Sequence, residues 1–330
     1  MRVLRTFVLL AAALLGLLAG AVPAGALSAG AVPRATAAQA GTATYKVWHW
    51  NISGHDKHLG KPDHIVSTVL GSLSFRNPDF ISVNEVCPAQ YQAILKGLQN
   101  AGWPQNPANF ARFEPMPHAT ADLCAKTPGS PDQDPYGVAV FSRFAPSGTD
   151  RITLPPDGQR ARKLLCVPIA SKPGHPRFCT THVTYQAATK QAQLDTVRTR
   201  MEQWTAAGDT VIAAGDFNVQ PHDPLMNTWY APSVNTPDNG CDAQGNHCNT
   251  GMFRELDDLD PICSGWGEQT TEGLLAGRCG QPAKVDHIFA AESKLVSYQE
   301  DTHPISQTAC NNNPCSDHRI VDATVIVSTP

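Results

Sequence analysis

Charged residues are scarce in this sequence, and long apolar segments are almost absent from it. Asp, Glu, Lys and Arg make up only 16% of the 330 residues, which argues against a coiled coil and against a disordered chain. After residue 45 no segment is long and apolar enough to span a bilayer, and no internal repeat is evident. The chain does contain 42% hydrophobic residues, 27 Pro and 25 Gly, which together predict a loop-rich globular protein with a sizeable core.

The one long apolar run lies at the N-terminus. Arg2 and Arg5 give a short positive start, residues 7–22 are almost wholly apolar, and small residues follow up to Ala26. This layout is typical of a secretory signal peptide, and the run is short for a membrane anchor, which needs about 20 residues. We predict a signal peptide over 1–26 with cleavage after Ala26 or as late as Ala40, a flexible leader over 27–43 and one folded domain over 44–330.

Export changes the charge balance of the chain. Residues 1–40 contain three Arg and no acidic residue, so the remaining chain has 22 basic and 29 acidic side chains and a formal charge of −7. This balance argues against a nucleic-acid binder that relies on a broad basic surface. It is compatible with an enzyme that contacts a few phosphates locally.

Ten cysteines are an even number, and in an exported protein disulfides are expected. The alternative is a zinc site, but the sequence has no paired CxxC motif and no Cys/His spacing that supports one. Four pairs are close in sequence and the last two cysteines remain for each other: Cys166 with Cys179, Cys241 with Cys248, Cys263 with Cys279, Cys310 with Cys315, and Cys87 with Cys124.

Apolar runs and turn residues predict an irregular alternation of strands and helices, which indicates a mixed α/β layered domain. Two long loops, 222–254 and 260–283, are expected to be held by Cys pairs rather than by secondary structure. The predicted helices are 88–101 and 187–207, and the predicted strands are 45–53, 79–86, 137–142, 164–170, 178–184, 210–214, 285–290 and 320–327.

Polar residues that suit phosphate chemistry stand at or next to the ends of these strands, where a rigid scaffold can aim them. Carboxylate and amide oxygens suit hard cations, and a His backed by a carboxylate can act as a general base toward water. Alone, each residue has an ordinary alternative role, such as a turn Asn or a hydrogen-bonded core His. The residues are Asn51, Glu85, His182, Asp216, Asn218, Asp286, Asp317 and His318.

Their order along the chain resembles the endonuclease/exonuclease/phosphatase superfamily, which includes deoxyribonuclease I and neutral sphingomyelinases. The most specific motifs are Gly215-Asp216-Phe217-Asn218, Val285-Asp286-His287-Ile288 and Ser316-Asp317-His318. The resemblance extends from about Tyr45 to Val327 and implies an α/β (α+β) fold, a four-layer sandwich of two packed mixed β-sheets flanked by helices.

The resemblance also implies a metal site. Glu85 is expected to be the principal ligand of Mg²⁺ or Mn²⁺, helped by Asn51 and Asp317. A structural Ca²⁺ is a further prediction for the polar loop around Cys241 and Cys248, where a disulfide-closed polar loop explains the sequence equally well. Its candidate ligands are Asp238, Asn239, Asp242 and Asn246.

The same resemblance assigns roles around the phosphate. His318 is expected to be the general base or a phosphate contact, oriented by Asp286. Asp216 and Asn218 would position the attacking water and the phosphate. His182 would bind the phosphate or assist the leaving group. Arg162, just before the strand that begins at Leu164, is a further candidate for a phosphate contact.

Two positions depart from the superfamily's pattern. Asn84 stands where many members have Gln, and Cys87 stands where deoxyribonuclease I-type enzymes have an Arg that reaches DNA. The second difference argues against minor-groove reading by that route.

We predict a secreted, metal-dependent phosphodiesterase, first of all an extracellular nuclease that cuts DNA, with RNA as the second candidate substrate. A monomer with no stable protein partner and no membrane span is expected. One alternative is a sphingomyelinase- or phospholipase C-like enzyme, for which Trp266 in a Gly-rich loop would be the membrane-docking aromatic. The other is a binding module on the same fold that has lost its chemistry, against which the completeness of the site argues.

Overall fold

Two mixed six-stranded sheets form the centre of this protein. The computed structural model describes residues 41–120, 124, 134–237, 239–241, 248–273 and 275–330. The predicted signal peptide lies outside the described residues, as do Asp238, Asp242 and Asn246 of the predicted calcium loop. The described strands are β1 (Gly41–Asn51), β2 (Phe80–Val86), β3 (Ala111–Pro115), β4 (Gly137–Ser142), β5 (Asp150–Thr153), β6 (Lys163–Pro168), β7 (Pro176–His182), β8 (Thr210–Asp216), β9 (Phe253–Glu255), β10 (Asp286–Ala291), β11 (Leu295–His303) and β12 (Ile320–Thr329).

The strand order is β11-β12-β1-β2-β4-β3 in the first sheet and β5-β6-β7-β8-β10-β9 in the second. Each sheet has one parallel pair at its centre, β1 with β2 and β7 with β8, and antiparallel pairs on both sides of it. The inner faces of the two sheets pack against each other, and the stacked rings of Phe80 and Phe178, 4.9 Å apart, lie between them.

Three helices cover the outer faces: α1 (His64–Arg76) and α2 (Pro88–Asn100) on the first sheet and α3 (Ala187–Ala206) on the second. In α3 the residues Leu194, Val197 and Met201 recur at helical spacing and are buried. The layers are therefore helix, sheet, sheet and helix, which confirms the predicted four-layer sandwich.

Several predicted boundaries need correction. Strand β1 begins at Gly41, so residues 41–43 belong to the sheet rather than to the leader, because they pair with β12 as far as Thr329. The loop predicted over 222–254 contains a 3-10 turn at Pro224–Thr228 and the start of β9. The sequence prediction also omitted α1 and the strands β3, β5, β9 and β11.

All five predicted disulfides are present, with no free cysteine among the described residues. Cys166–Cys179 joins the paired strands β6 and β7. In the part of the chain that the structure describes, no helix combines the length and apolar character needed to cross a membrane.

A buried charge cluster fixes the start of β10. The Lys284 ammonium lies 2.7 Å from Asp257, 2.9 Å from Glu255 and 3.5 Å from Glu300, and all four side chains are at most 1% exposed. Burial lowers the pKa of Lys284, but the three carboxylates more than reverse this and hold it well above its ordinary value. The cluster therefore holds the chain two residues before Asp286.

Candidate active site

Strand register brings the predicted site residues together at one edge of the sandwich. In the second sheet His182 is the register partner of Asp216, and Asp216 is in turn the partner of Asp286. In the first sheet Asn51 pairs with Asn84. The ends of β1, β2, β7 and β8 and the start of β10 therefore meet, which explains why polar residues at these ends form one site.

Glu85 reaches the site through an irregularity in β2. The pairing of β2 with β4 shifts in register between Val83 and Val86, and Glu85 lies between them with φ +54°. A non-glycine residue adopts this left-handed conformation at a cost, and such bulges often re-aim a side chain next to an active site. The Glu85 carboxylate faces the amide of Asn51, with 3.5 Å between Oε1 and Nδ2.

Asp216 is the centre of the site. Its Oδ2 accepts a hydrogen bond from Asn51 Nδ2 at 3.1 Å, and it lies 3.4 Å from His182 Nε2 and 3.9 Å from His318 Nε2. Burial and the neighbouring Asp286 raise the pKa of Asp216 to about 6, against the opposite effect of His318. Asp216 is therefore a carboxylate that exchanges a proton close to neutral pH.

The loop after β8 turns sharply around the Asp216 carboxylate. A Cβ on Gly215 would lie 2.2 Å from the backbone oxygen of Thr181, so only glycine fits where β7 and β8 approach. Asp216 Oδ1 accepts from the backbone N–H of Asn218 at 2.9 Å, and Asn218 has φ +52°. The two side chains thus belong to a turn, and the Asn218 side-chain amide donates to the carbonyl of Val183 at 2.9 Å.

His318 and Asp286 form the predicted pair. Nδ1 of His318 lies 2.7 Å from Oδ2 of Asp286, a carboxylate with no exposed surface. Burial lowers the pKa of His318, but Asp286, Asp216 and Asp317 outweigh it and raise the value to about 10. The imidazole is thus positively charged in this arrangement, which suits contact with a phosphate oxygen.

His182 has the opposite electrostatic character. Burial, Arg162 and His318 hold the pKa of His182 well below its ordinary value, so its ring is neutral. Its Nε2 faces Asp216, and its Nδ1 is buried without a hydrogen-bond partner among the described residues. A neutral ring keeps one N–H available for a substrate oxygen.

The donor set fits a divalent cation beside Glu85. Burial raises the pKa of Glu85 to about 7, and the carboxylates of Asp216 and Asp317 contribute to the rise against His318 and Arg162. The carboxylates of Glu85, Asp216 and Asp317 are oxygen ligands of the kind that Mg²⁺ and Mn²⁺ prefer, and a cation would offset their mutual repulsion. The Asn51 amide points its nitrogen toward Glu85 and Asp216, and its oxygen accepts from the Ser53 N–H.

A second grouping, Asp216 with Asp286 and His318, also lies within reach of one ion. Both oxygens of Asp286 are already hydrogen-bonded, one to His318 and one to His49. This grouping is therefore a hydrogen-bonded charge cluster, and the assignment of a metal to Glu85, Asn51 and Asp317 stays a prediction.

A cavity of about 630 Å³ opens beside Glu85 and Asp317. Most of the side chains that line it are polar, charged or aromatic. Buried Arg162 contributes a guanidinium whose Nε lies 3.3 Å from Asp157 and whose Nη1 has no hydrogen-bond partner in the part of the chain that the structure describes. The other lining residues are Ser53, His55, Asp56, His118, Thr120, Tyr136, Gln159, Arg160 and Tyr185.

Two aromatic rings of this cavity differ in exposure. Tyr136 is buried, stacks on the His182 ring at 6.3 Å and lies under the Arg160 guanidinium at 3.9 Å. Tyr185 is 56% exposed, and its hydroxyl donates to Gln159 at 2.7 Å. Tyr185 therefore offers a free ring face at the rim of the site.

Sequence reasoning missed several residues of the site. His49, Ser53, Tyr136 and Arg160 contact the predicted site residues or line the cavity. His49 and Ser53 flank the predicted Asn51, so their proximity in sequence was the available signal.

The two sequence departures have a clear structural basis. Cys87 is buried in its disulfide with Cys124, so this position cannot reach a substrate. Asn84 bridges the sheets, accepting from the Asp216 N–H at 2.8 Å and donating to Thr180 at 3.0 Å. Trp266 is fully buried, with its indole N–H 3.1 Å from His222, so it is not an exposed docking aromatic.

Comparison with known proteins agrees with this geometry. Residues 48–318 match the sequence model of the endonuclease/exonuclease/phosphatase family. The chain belongs to this family. Family members are phosphoric-ester hydrolases that generally depend on a divalent metal, and the chain is an enzyme of this class.

Solved structures of low sequence identity share the fold of this family member. Human Nocturnin, solved as its catalytic domain with a sulfate anion, is 16% identical, with a TM-score of 0.58 over 88% of this chain and 97% of that one. Truncated TDP2 of Caenorhabditis elegans is 17% identical, with a TM-score of 0.56 over 86% and 97%. TDP2 of D. rerio, solved with a single-strand DNA product, is 16% identical, with a TM-score of 0.56 over 86% and 98%. No curated protein matches the sequence.

Proposed function

We propose that this family member is a secreted, divalent-metal-dependent phosphodiesterase that cleaves nucleic acid, DNA first and RNA second. The observation that carries the proposal is the convergence of carboxylates and imidazoles beside a cavity with cationic and aromatic walls. Carboxylates can hold a metal, imidazoles can contact a phosphate, and such walls suit the groups that flank a phosphodiester.

The metal site of the proposal consists of Glu85 and Asp317, and of Asn51 once its amide is flipped so that Oδ1 rather than Nδ2 faces Glu85. A Mg²⁺ or Mn²⁺ ion bound there would supply positive charge to the phosphate and to its pentacovalent transition state. Asp317 is held by the Ser53 hydroxyl, which keeps its carboxylate beside the cavity that Glu85 also lines.

In the proposed reaction the attacking water lies between Asp216 and His318, whose Oδ2 and Nε2 are 3.9 Å apart. Asp216 takes the proton of the water and the positively charged His318 ring faces the phosphate, while the water oxygen bonds to phosphorus, the bond to the leaving oxygen breaks and that oxygen takes up a proton from solvent. Asp286 keeps the His318 ring in orientation, and Asn218 fixes the loop that carries Asp216.

Two cavity residues would hold the substrate phosphate. His182 presents a neutral ring at the site, and Arg162 has a buried guanidinium nitrogen without a partner. A planar guanidinium can bind phosphate oxygens through two parallel hydrogen bonds. These two groups would therefore position the phosphate before the water attacks.

The cavity favours nucleic acid over a phospholipid. Exposed Tyr185 can stack on a base, which in other proteins contributes about 1–3 kcal/mol per base. The D. rerio relative was solved with a single-strand DNA product, which supports the same class of substrate. Buried Trp266 removes the aromatic that a lipid-docking enzyme would have used.

The proposal includes export and action as a monomer without a stable protein partner. The five disulfides support an oxidising environment outside the cytosol. The apolar run over 7–22 supports a cleaved signal peptide. Mass analysis of the protein recovered from the medium of expressing cells would give the cleavage site.

The activity test compares plasmid DNA, single-stranded DNA, RNA, sphingomyelin and a bis-aryl phosphate, each with Mg²⁺ and with EDTA. Cleavage of the nucleic acids and the aryl ester with Mg²⁺ only is the expected result. Cleavage of sphingomyelin alone would replace the nuclease proposal by the lipid alternative, and no cleavage under any metal would refute it.

Two substitutions locate the activity. Glu85→Gln keeps the size of the side chain and removes its charge, so we expect Mg²⁺-dependent cleavage to be lost. Asp260→Asn is the matched control, because Asp260 belongs to a separate acidic group with Asp257 and Glu268. Equal loss in both variants would contradict the assignment of the metal to Glu85.

A further inference from the structure

His49 is a buried side chain that the proposed reaction does not use. It lies on β1, two residues before Asn51, and has no exposed surface. Its Nε2 lies 3.0 Å from Oδ1 of Asp286, the oxygen opposite the one that His318 contacts. Asp286 is therefore held between two imidazoles, one at the site and one in the core.

The contacts continue from His49 between the two sheets. Nδ1 of His49 lies 2.8 Å from the Ser82 hydroxyl, which lies 2.6 Å from the Thr180 hydroxyl. Thr180 accepts from the side-chain amide of Asn84 at 3.0 Å. A buried polar chain thus runs from β2 and β7 to the site pair.

The donors and acceptors of these groups determine the direction of the hydrogen bonds between them. The Asn84 amide can only donate to Thr180, so the Thr180 hydroxyl is free to donate to Ser82. The Ser82 hydroxyl has two acceptors within reach, Nδ1 of His49 at 2.8 Å and the carbonyl of Ala214 at 3.3 Å. Whichever of them accepts, Nε2 of His49 carries the proton that is donated to Asp286, because an ionised carboxylate can only accept.

We propose that His49 is a positioning residue that fixes the Asp286 carboxylate, and through it the ring of His318, in the orientation that the reaction uses. This inference rests on the proposed function for its kinetic consequence. The restraint of the Asp286–His318 hydrogen bond by His49 does not require a substrate, so it can be tested on the free protein.

The restraint has a physical reason. A carboxylate bonded through one oxygen can rotate about its χ2 angle, whereas one that accepts at both oxygens from opposite sides cannot do so without losing a bond. Because Asp286 is fully buried, a lost bond is not replaced by solvent. Removal of His49 would therefore leave one Asp286 oxygen unsatisfied and let the carboxylate and His318 shift together.

Two variants of His49 test the proposal on a bis-aryl phosphate with Mg²⁺. His49→Leu removes the donor, and we expect kcat to fall about 10- to 100-fold with KM almost unchanged, as for partners that orient site residues elsewhere. His49→Gln places an amide N–H near the position of Nε2 and should recover most of kcat. The His318 Nδ1–H proton resonance should move in His49→Leu and return in His49→Gln.

The controls separate positioning from stability. Met201→Ala, in the core between α3 and the second sheet, lowers stability without touching this network and should leave kcat unchanged. In an Asp286→Asn background, His49→Leu should cause no further loss of kcat. Unchanged kcat and resonance in His49→Leu, equal impairment of His49→Gln, or additive losses in the double variant would overturn the proposal. Should no substrate be cleaved, the proposed function fails, and the resonance still decides the role of His49.

Discussion

Glu85→Gln should stabilise the metal-free protein while removing its response to metal. Burial, with contributions from Asp216 and Asp317, raises the pKa of Glu85 from 4.5 to about 7 in the folded chain. A group with a raised folded pKa favours the folded state at low pH, and this contribution is lost as the pH rises from 4.5 through about 7. Ionised Glu85 therefore costs the metal-free protein stability at pH 8.

The size of this effect follows from the same values. A rise from 4.5 to about 7 corresponds to about 3 kcal/mol at pH 8, and the Glu85 side chain is only 19% exposed, so solvent screens little of it. The neutral, isosteric Gln removes the cost. For a domain that spans residues 41–330, with an unfolding entropy of roughly 2.1 cal/mol/K per residue, about 3 kcal/mol is a rise in Tm of roughly 5 °C.

The assay is thermal unfolding of both proteins in EDTA at pH 8 and at pH 4, followed by titration with Mg²⁺. Glu85→Gln should melt higher than the wild type at pH 8, the two should coincide at pH 4, and only the wild type should gain stability from Mg²⁺. A variant that melts lower than the wild type at pH 8 would show that ionised Glu85 does not destabilise the metal-free protein. A variant that Mg²⁺ stabilises as strongly as the wild type would show that Glu85 is not the principal ligand.

Three further predictions concern parts outside the metal site. Lys284→Met leaves three buried carboxylates without their cation and should cost about 3–5 kcal/mol in urea unfolding, so a loss below about 1 kcal/mol would contradict the cluster's role. Replacing both Cys87 and Cys124 by Ser opens a loop of 37 residues and should lower stability by about 3–4 kcal/mol without changing kcat, which unfolding and kinetic assays check together. Tyr185→Ala should raise KM for single-stranded DNA about tenfold through lost stacking but leave hydrolysis of the aryl ester unchanged, and equal effects on both substrates would refute a stacking role.

Much of the site could be predicted because its residues terminate strands or begin them. Apolar runs locate the strands, and Asp216 and Asp286 directly follow or begin such runs. The parallel and antiparallel pairings then bring these ends to one edge. The disulfides were predictable for a related reason, since four of the five pairs close short loops and leave one pairing for Cys87 and Cys124.

The rest of the site depends on contacts between distant parts of the chain. The role of His49 depends on its contact with Asp286, which lies 237 residues away in the sequence. The position of Glu85 depends on a register shift and on a positive φ, and the neighbouring residue types predict neither of them. The cavity is assembled from loops around His118, Arg160 and Tyr185, whose proximity no periodicity encodes. Local patterns therefore predict which residues reach the site but not how they are bonded within it.

Asp216 and Asp286 show why that bonding decides the chemistry. They are the same residue type, buried on adjacent strands and directly paired in register. Asp286 accepts from two imidazoles, and although burial raises its pKa, His318 and His49 hold the value well below the ordinary one, so it stays ionised. For Asp216, burial and the charge of Asp286 outweigh the lowering effect of His318 and raise its pKa to about 6. Paired carboxylates whose environments separate their pKa values take different roles. In the proposed reaction Asp286 therefore orients His318, and Asp216 is the carboxylate that takes up and releases the proton.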